Sequence, residues 1–144
     1  MKQLIEKPFN IIDAQKLLDD SIEKIDVNIT SDMLKSLYRS GEARTWTFKN
    51  EIIGCGGIVI YDIDKCEAWN LLNNNLVNKF KRELIISAKK FIDEMAKKYT
   101  IKYMRASRRV DFDNKWLEHL GFTMEKETEM IVGQGESYIY SRRF

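Results

Sequence analysis

The run Asn114-Lys115-Trp116-Leu117-Glu118-His119-Leu120-Gly121-Phe122 decides how this chain folds. It reads as the end of a short helix, Asp113 to Leu120, that stops at a glycine and passes straight into a strand. Leu120 packs the helix on a sheet. Gly121 adopts the left-handed conformation that closes a helix, and Phe122 turns inward as the next strand begins. Upstream, Ile101 to Ser107 reads as a strand. Before it, Leu84, Ile85, Ala88, Phe91, Ile92 and Met95 recur at helical spacing, opposite Lys89, Lys90, Asp93, Glu94, Lys97 and Lys98. A strand, a long helix and another strand predict a right-handed parallel crossover.

Further upstream the period falls to two. Arg44, Trp46 and Phe48 alternate with Thr45, Thr47 and Lys49 as a half-buried strand. Asn50-Glu51 gives a turn, Ile52 to Tyr61 a second strand, Asp62 to Lys65 another turn, and Cys66 to Leu72 a third strand. Together these predict an antiparallel meander, and Asn73-Asn74-Asn75 ends it. Residues 2–9 read as a short edge strand. Ile11, Ile12, Ala14, Leu17, Leu18, Ile22 and Ile25 make an amphipathic helix, and a second helix runs from Ser31 or Asp32 to Gly41. Past Phe122, strands near Phe122–Thr128 and Ser137–Arg143 are joined through Gly133-Gln134-Gly135. The expected fold class is α/β: a mixed sheet with an antiparallel N-terminal meander, a parallel βαβ crossover and helices on both faces.

Composition agrees with this reading. The 144 residues, 44% apolar and 32% charged, suit one domain spanning 1–144 with a single sizeable core. A net charge of +2 gives no strong nucleic-acid signal. No apolar run approaches the roughly 20 residues that cross a bilayer, and the polar start at Met1-Lys2-Gln3 is unlike a signal peptide. A cytoplasmic, soluble protein is expected. His119 is the one histidine and Cys55 and Cys66 the two cysteines, half of a zinc cage at most, so no metal is expected. The cysteines read as buried structural residues, placed on adjacent strands where they would be cross-strand neighbours.

The element order and the helix–Gly–strand run, with Ala96-Lys97-Lys98-Tyr99-Thr100-Ile101 at the expected distance before it, resemble the GNAT superfamily of acyl-coenzyme A-dependent N-acyltransferases. The resemblance covers nearly the whole chain in element order and residues 66–128 in sequence texture. It implies transfer of an acetyl or other acyl group from acyl-CoA to an amine, with the cofactor held between parted strands. Two departures from the family pattern stand out. The family cradles the cofactor diphosphate in a glycine-rich turn; here the matching positions are Lys81, Glu83 and Ile85, and no glycine lies between Gly57 and Gly121. Many members also carry a Tyr in the late helix that reprotonates the departing thiolate; here that position is Leu117. The runs Trp69-Asn70-Leu71-Leu72, Asn78-Lys79-Phe80-Lys81-Arg82 and Lys115-Trp116-Leu117-Glu118, with these shared departures, further resemble the small GNAT-like internal virion proteins of short-tailed phages.

What the resemblance implies about the site follows residue by residue. Lys79, Lys81 and Arg82 stand where side-chain charge can replace the glycine cradle, in a segment Asn78–Arg82 that would face the phosphates, although basic residues are unfavourable at a helix start and a solvated first turn explains them too. Leu71 and Leu72 lie on the strand whose main chain would bind the pantetheine arm. Arg108, with Arg105 and Arg109, borders the groove at the carboxyl ends of the parallel strands; ion pairs to Asp111, Asp113 or Glu118 are the plain alternative. Glu67 as base and Tyr140 as proton donor are put forward as catalytic residues, with Tyr103 and Tyr138 as alternative donors, against the plainer reading of each as a strand or core residue. His119 reads as a surface residue of the last helical turn, and Trp46 and Trp69 as core residues meeting across the meander. Gly54, Gly56 and Gly57 mark a β-bulge or a close backbone approach and not a nucleotide loop, since no helix follows. The partners implied are acyl-CoA and an amine. The phage resemblance adds a phage or host protein, with a virion-structural or host-binding role and no retained catalysis, or else a counter-defence role in which the protein modifies a host target. An edge strand near the C-terminus suits pairing with a second copy as a homodimer.

Overall fold

A computed structural model describes residues 3–20, 42–73, 76–109, 115–131 and 135–144. In chain order the elements are β1 (Ile5–Pro8), α1 (Ile11–Asp20), β2 (Ala43–Phe48), β3 (Glu51–Asp62), β4 (Lys65–Leu72), a 3₁₀ turn (Val77–Lys79), α2 (Lys81–Lys98), β5 (Tyr103–Arg109), α3 (Lys115–His119), β6 (Thr123–Ile131) and β7 (Gly135–Arg143). The expected second helix, the tail of the first beyond residue 20, Asp113 and the Gly133-Gln134 link lie outside the described residues. The strands form one sheet in the order β1-β2-β3-β4-β5-β7-β6. Neighbours are antiparallel everywhere except β4 and β5, which run parallel. The expected α/β class and crossover are present.

Local chemistry sets each boundary. Pro8 lacks an N–H and sits on the edge strand, where no ladder bond is lost. Asn10 starts α1: its Oδ1 accepts from the Ile12 N–H at 2.8 Å. Lys49 and Asn50 both have positive φ, 49° and 67°, and form a two-residue hairpin loop closed by the Phe48–Glu51 pair. The turn therefore falls one residue before the expected Asn50-Glu51. Helix α2 buries Leu84, Ala88, Phe91, Ile92, Met95 and Ala96 at spacings of three, four and one, the stripe its sequence predicts.

The sheet separates two apolar clusters. Trp46, Ile53, Cys66, Leu72, Met104, Ala106 and Tyr140 pack with α2 and α3 on one face, and Phe9, Ala14, Leu17, Ala43 and Cys55 pack with α1 on the other. A bulge beside Ile53 breaks the β2–β3 register between Trp46 and Thr47. Gly57 has no room for a side chain: a Cβ there would lie 2.4 Å from the Glu42 carbonyl oxygen. Both parts of the glycine-run reading thus hold.

Two tertiary expectations need correction. Trp46 and Trp69 are buried or half-buried, yet they lie on opposite faces: Trp46 meets Phe91 edge-on at 6.0 Å, and Trp69 meets Phe9 at 5.7 Å. Cys55 and Cys66 are likewise parted by the sheet, opposite Leu71 and Ile60 respectively, because alternate residues of a strand point to opposite faces. Both are free and buried, and burial pushes each thiol up to about 12.

Candidate functional site

The parallel pairing of β4 and β5 lasts three rungs: Lys65–Tyr103, Cys66–Met104 and Glu67–Arg105. Beyond it β4 continues to Leu72 along β3, and β5 continues to Arg109 along β7. The two strands therefore part at Glu67 and Arg105, toward their carboxyl ends, the place where open α/β sheets receive ligands. The main chain of Asn73 turns to β3, its N–H donating to the Ile53 carbonyl at 2.8 Å, and the Leu71 carbonyl also faces β3, beside Gly54. Since strand residues alternate, Ala68, Asn70 and Leu72 direct their N–H and C=O groups the other way, into the gap. None of these three has a strand partner on that side among the described residues.

From β4 the chain passes through the 3₁₀ turn into the start of α2. The N-cap is Phe80, whose side chain accepts nothing, so no side chain caps the first turn. Phe80 is instead buried, its ring 4.9 Å from that of Phe48, and Leu76 and Val77 pack half-buried against the same core. These apolar anchors fix the turn that a glycine-rich loop would otherwise make. Asn78, Lys79 and Arg82 are exposed and Lys81 is half-buried. Lys79 and Lys81 also make interactions within the fold, so the cluster is more tied down than its sequence suggests.

No family model matches the sequence, and no curated protein does either. Solved structures match over nearly the whole chain. The ribosomal-protein-S18-alanine N-acetyltransferase of Escherichia coli superposes with a TM-score of 0.75 at 10% identity, covering 98% of this chain and 94% of its own. A GNAT-family acetyltransferase of Bacillus anthracis gives 0.70 at 13% identity, covering 99% and 95%. The microcin C7 self-immunity acetyltransferase MccE, solved in complex with acetyl-CoA and AMP, gives 0.73 at 16% identity, covering 99% and 93%. The fold is the GNAT fold. These comparisons do not extend to the resemblance to phage virion proteins.

Within the GNAT fold the sequence-derived site residues fall as follows. Glu67 stands at the fork, on the α1 side of the sheet, with Arg105 Nε 3.4 Å from its Oε1. Arg105 is therefore paired with Glu67, and not with Glu118, one of the alternatives raised for it; Asp111 and Asp113 lie outside the described residues. Only the parallel register of β4 on β5 reveals this pair. Leu72 presents its main chain to the gap, whereas Leu71 turns its carbonyl to β3. Arg108 lies on β5 past the fork, in register with Tyr138.

Tyr140 is corrected. It pairs with Ala106, is 1% exposed, and belongs to the core on the α2 side, across the sheet from Glu67. Burial raises its hydroxyl further above the ordinary tyrosine range. Its hydroxyl is enclosed in that core, where no substrate reaches it. Tyr138 is half-buried against the same core. Tyr103 donates to Glu125 Oε2 at 2.5 Å, and burial with that carboxylate pushes it up to about 12. Leu117 is 4% exposed within the core, and His119 is exposed on the last turn of α3. Among the described residues no three His, Cys, Asp or Glu side chains gather as a metal site, and no helix is long and apolar enough to span a membrane.

Proposed function

We propose that this protein is an N-acyltransferase that takes its acyl group from acyl-CoA and gives it to a primary amine. The observation that carries the reading is the fork: a parallel pair that ends after three rungs and leaves the main chain of β4 open beside an uncapped helix start. These residues fit the cofactor. Ala68, Asn70 and Leu72 offer alternating donors and acceptors to the amides of a pantetheine arm. Lys79, Lys81 and Arg82 at the head of α2 would meet the diphosphate by side-chain charge in place of glycine N–H groups, with the neutral Asn78 amide beside them. When bound, the cofactor supplies an activated acyl thioester.

The chain's own contribution is binding, orientation and one proton. Glu67 receives the proton that the attacking amine must shed, directly or through water. Leu117, an apolar buried side chain, has no proton to give to the departing thiol, so solvent supplies it. A second reading, a GNAT fold that binds the cofactor without catalysis, is favoured by that same Leu117 and by the burial of Tyr140.

Thermal melting with and without millimolar coenzyme A or acetyl-CoA tests the proposal. A ligand that binds only the folded state stabilises it, by about 2.7 kcal/mol at a hundredfold excess over Kd. The expected result is a raised melting temperature that shrinks when Lys81 and Arg82 are both replaced by Ala. No shift in either protein removes the cofactor reading. A shift without amine-dependent release of free thiol selects the non-catalytic one.

A further inference from the structure

The last rung before the strands part is an ion pair, Glu67 of β4 with Arg105 of β5. Glu67 sits where β4 loses its neighbour on the β5 side, and its side chain has three rotatable bonds there. Each strand stays paired on its outer side, Glu67 opposite Val59 of β3 and Arg105 opposite Ser141 of β7. Glu129 of β6 and Tyr61 of β3 act on the same guanidinium. Arg105 thus links the β5-β7-β6 half of the sheet to a side chain on the β1-to-β4 half, on the α1 side of the fork. Half-exposed ion pairs contribute little to stability, so the consequence of this one lies in its position.

We infer that Arg105 is a positioning residue for the transfer reaction, holding the Glu67 carboxylate in one orientation at the mouth of the fork. It acts through Glu67 and touches neither cofactor nor amine. The inference rests on the proposed role of Glu67 as proton acceptor. The charged and titratable groups about the pair are Tyr61 and Asp62 on β3, Lys65 two residues before Glu67 on β4, Tyr103 on β5 with Arg143 of β7 over its ring, and Glu129 on β6. Lys65 and Arg143 stand back at the level of Tyr103, and Arg105 is the cation in register with Glu67.

The experiment compares the wild-type chain with Arg105→Gln and Arg105→Lys. Gln removes the charge and ends near the Nε position, short of the Nη groups. Lys keeps the charge but loses the planar fork of donors. In steady-state transfer from acetyl-CoA to an amine acceptor, Arg105→Gln is expected to lower kcat on the order of tenfold, as misplacement of a reacting group does, with the amine KM within about twofold. Arg105→Lys is expected to recover most of the loss. In parallel, NMR three-bond couplings of the Glu67 side chain report its rotamers: one dominant rotamer in the wild type and in Arg105→Lys, averaged couplings in Arg105→Gln. Melting curves confirm that all three are folded at the assay temperature. Unchanged couplings in Arg105→Gln, or a kcat loss that Lys does not recover, overturn the inference. A wild-type protein with no acetyl-CoA-dependent transfer removes the proposed function instead, and the couplings then decide alone whether Arg105 orients Glu67.

Discussion

At the scale of single residues, the structure separates positions set by space from positions open to chemistry. Gly57 is set by space: the Glu42 carbonyl crosses it closely enough to accept from the Ile58 N–H at 2.9 Å. Gly57→Ala would drive a Cβ into backbone on both Glu42 and Ala43, so neither neighbour can yield by a rotamer change. The variant is expected to lose about 2–3 kcal/mol, as overpacking typically costs, and chemical denaturation against the wild type measures it. Glu67 is the opposite case, a charged residue at the one rung where two strands begin to part. The glycine run announced its close contact in the sequence, because strand interiors otherwise avoid glycine. Tyr140 gave no such signal. Strand alternation places it on a face only once its register with Ala106 is known.

At the scale of elements, two helix ends show the same device with different residues. In α3 the Phe122 N–H donates to the Leu117 carbonyl and the Gly121 N–H to Glu118, both at 3.0 Å, with Gly121 at φ 93°. In α2 the Ile101 N–H donates to Ala96 at 2.8 Å and the Thr100 N–H to Lys97 at 3.4 Å, with Thr100 at φ 51°. Both are Schellman closures. Only the first has the residue that tolerates a left-handed backbone without cost. A β-branched side chain in that conformation costs about 1–2 kcal/mol. Thr100→Gly or Thr100→Asn is therefore expected to raise the melting temperature by a few degrees, and Gly121→Ala to lower it by a similar amount. Calorimetry on the three variants checks both signs. The Leu-Gly-Phe run made the α3 closure legible in advance. Thr100 was silent, since threonine carries no preference for such a position, and the bonds from Ile101 and Thr100 are what impose it.

At the scale of the whole molecule, Glu42 ties the meander to the long helix. Its carboxylate accepts from Lys98 and from the Tyr99 hydroxyl at the end of α2, and from Arg44 Nη2 at 3.0 Å on β2. The hydrogen bonds from Lys98 and Tyr99, with that from Arg44, hold its pKa at about 2, against an ordinary 4.5. A carboxyl group depressed in the folded state binds protons more readily when unfolded, so its stabilisation is present above about 4.5 and lost as pH falls toward 2. Melting temperature followed from pH 7 downward is expected to drop more steeply for the wild type than for Glu42→Gln across that window. Parallel curves would show that the clamp contributes nothing.

The linear chain determined by itself what depends on near neighbours and on period: the alternating strands, the apolar stripe of α2, the glycine that closes α3, and the order of elements that implies a parallel crossover. Those features arise from backbone sterics and side-chain spacing within about ten residues. Register alone decided the rest. It put Trp46 and Trp69 on opposite faces, likewise Cys55 and Cys66, buried Tyr140 in the core on the face opposite Glu67, and set Arg105 against Glu67 where β4 leaves β5. Each of these depends on which residue of one strand lies opposite which residue of another, and a slip of a single position exchanges the two faces of the sheet.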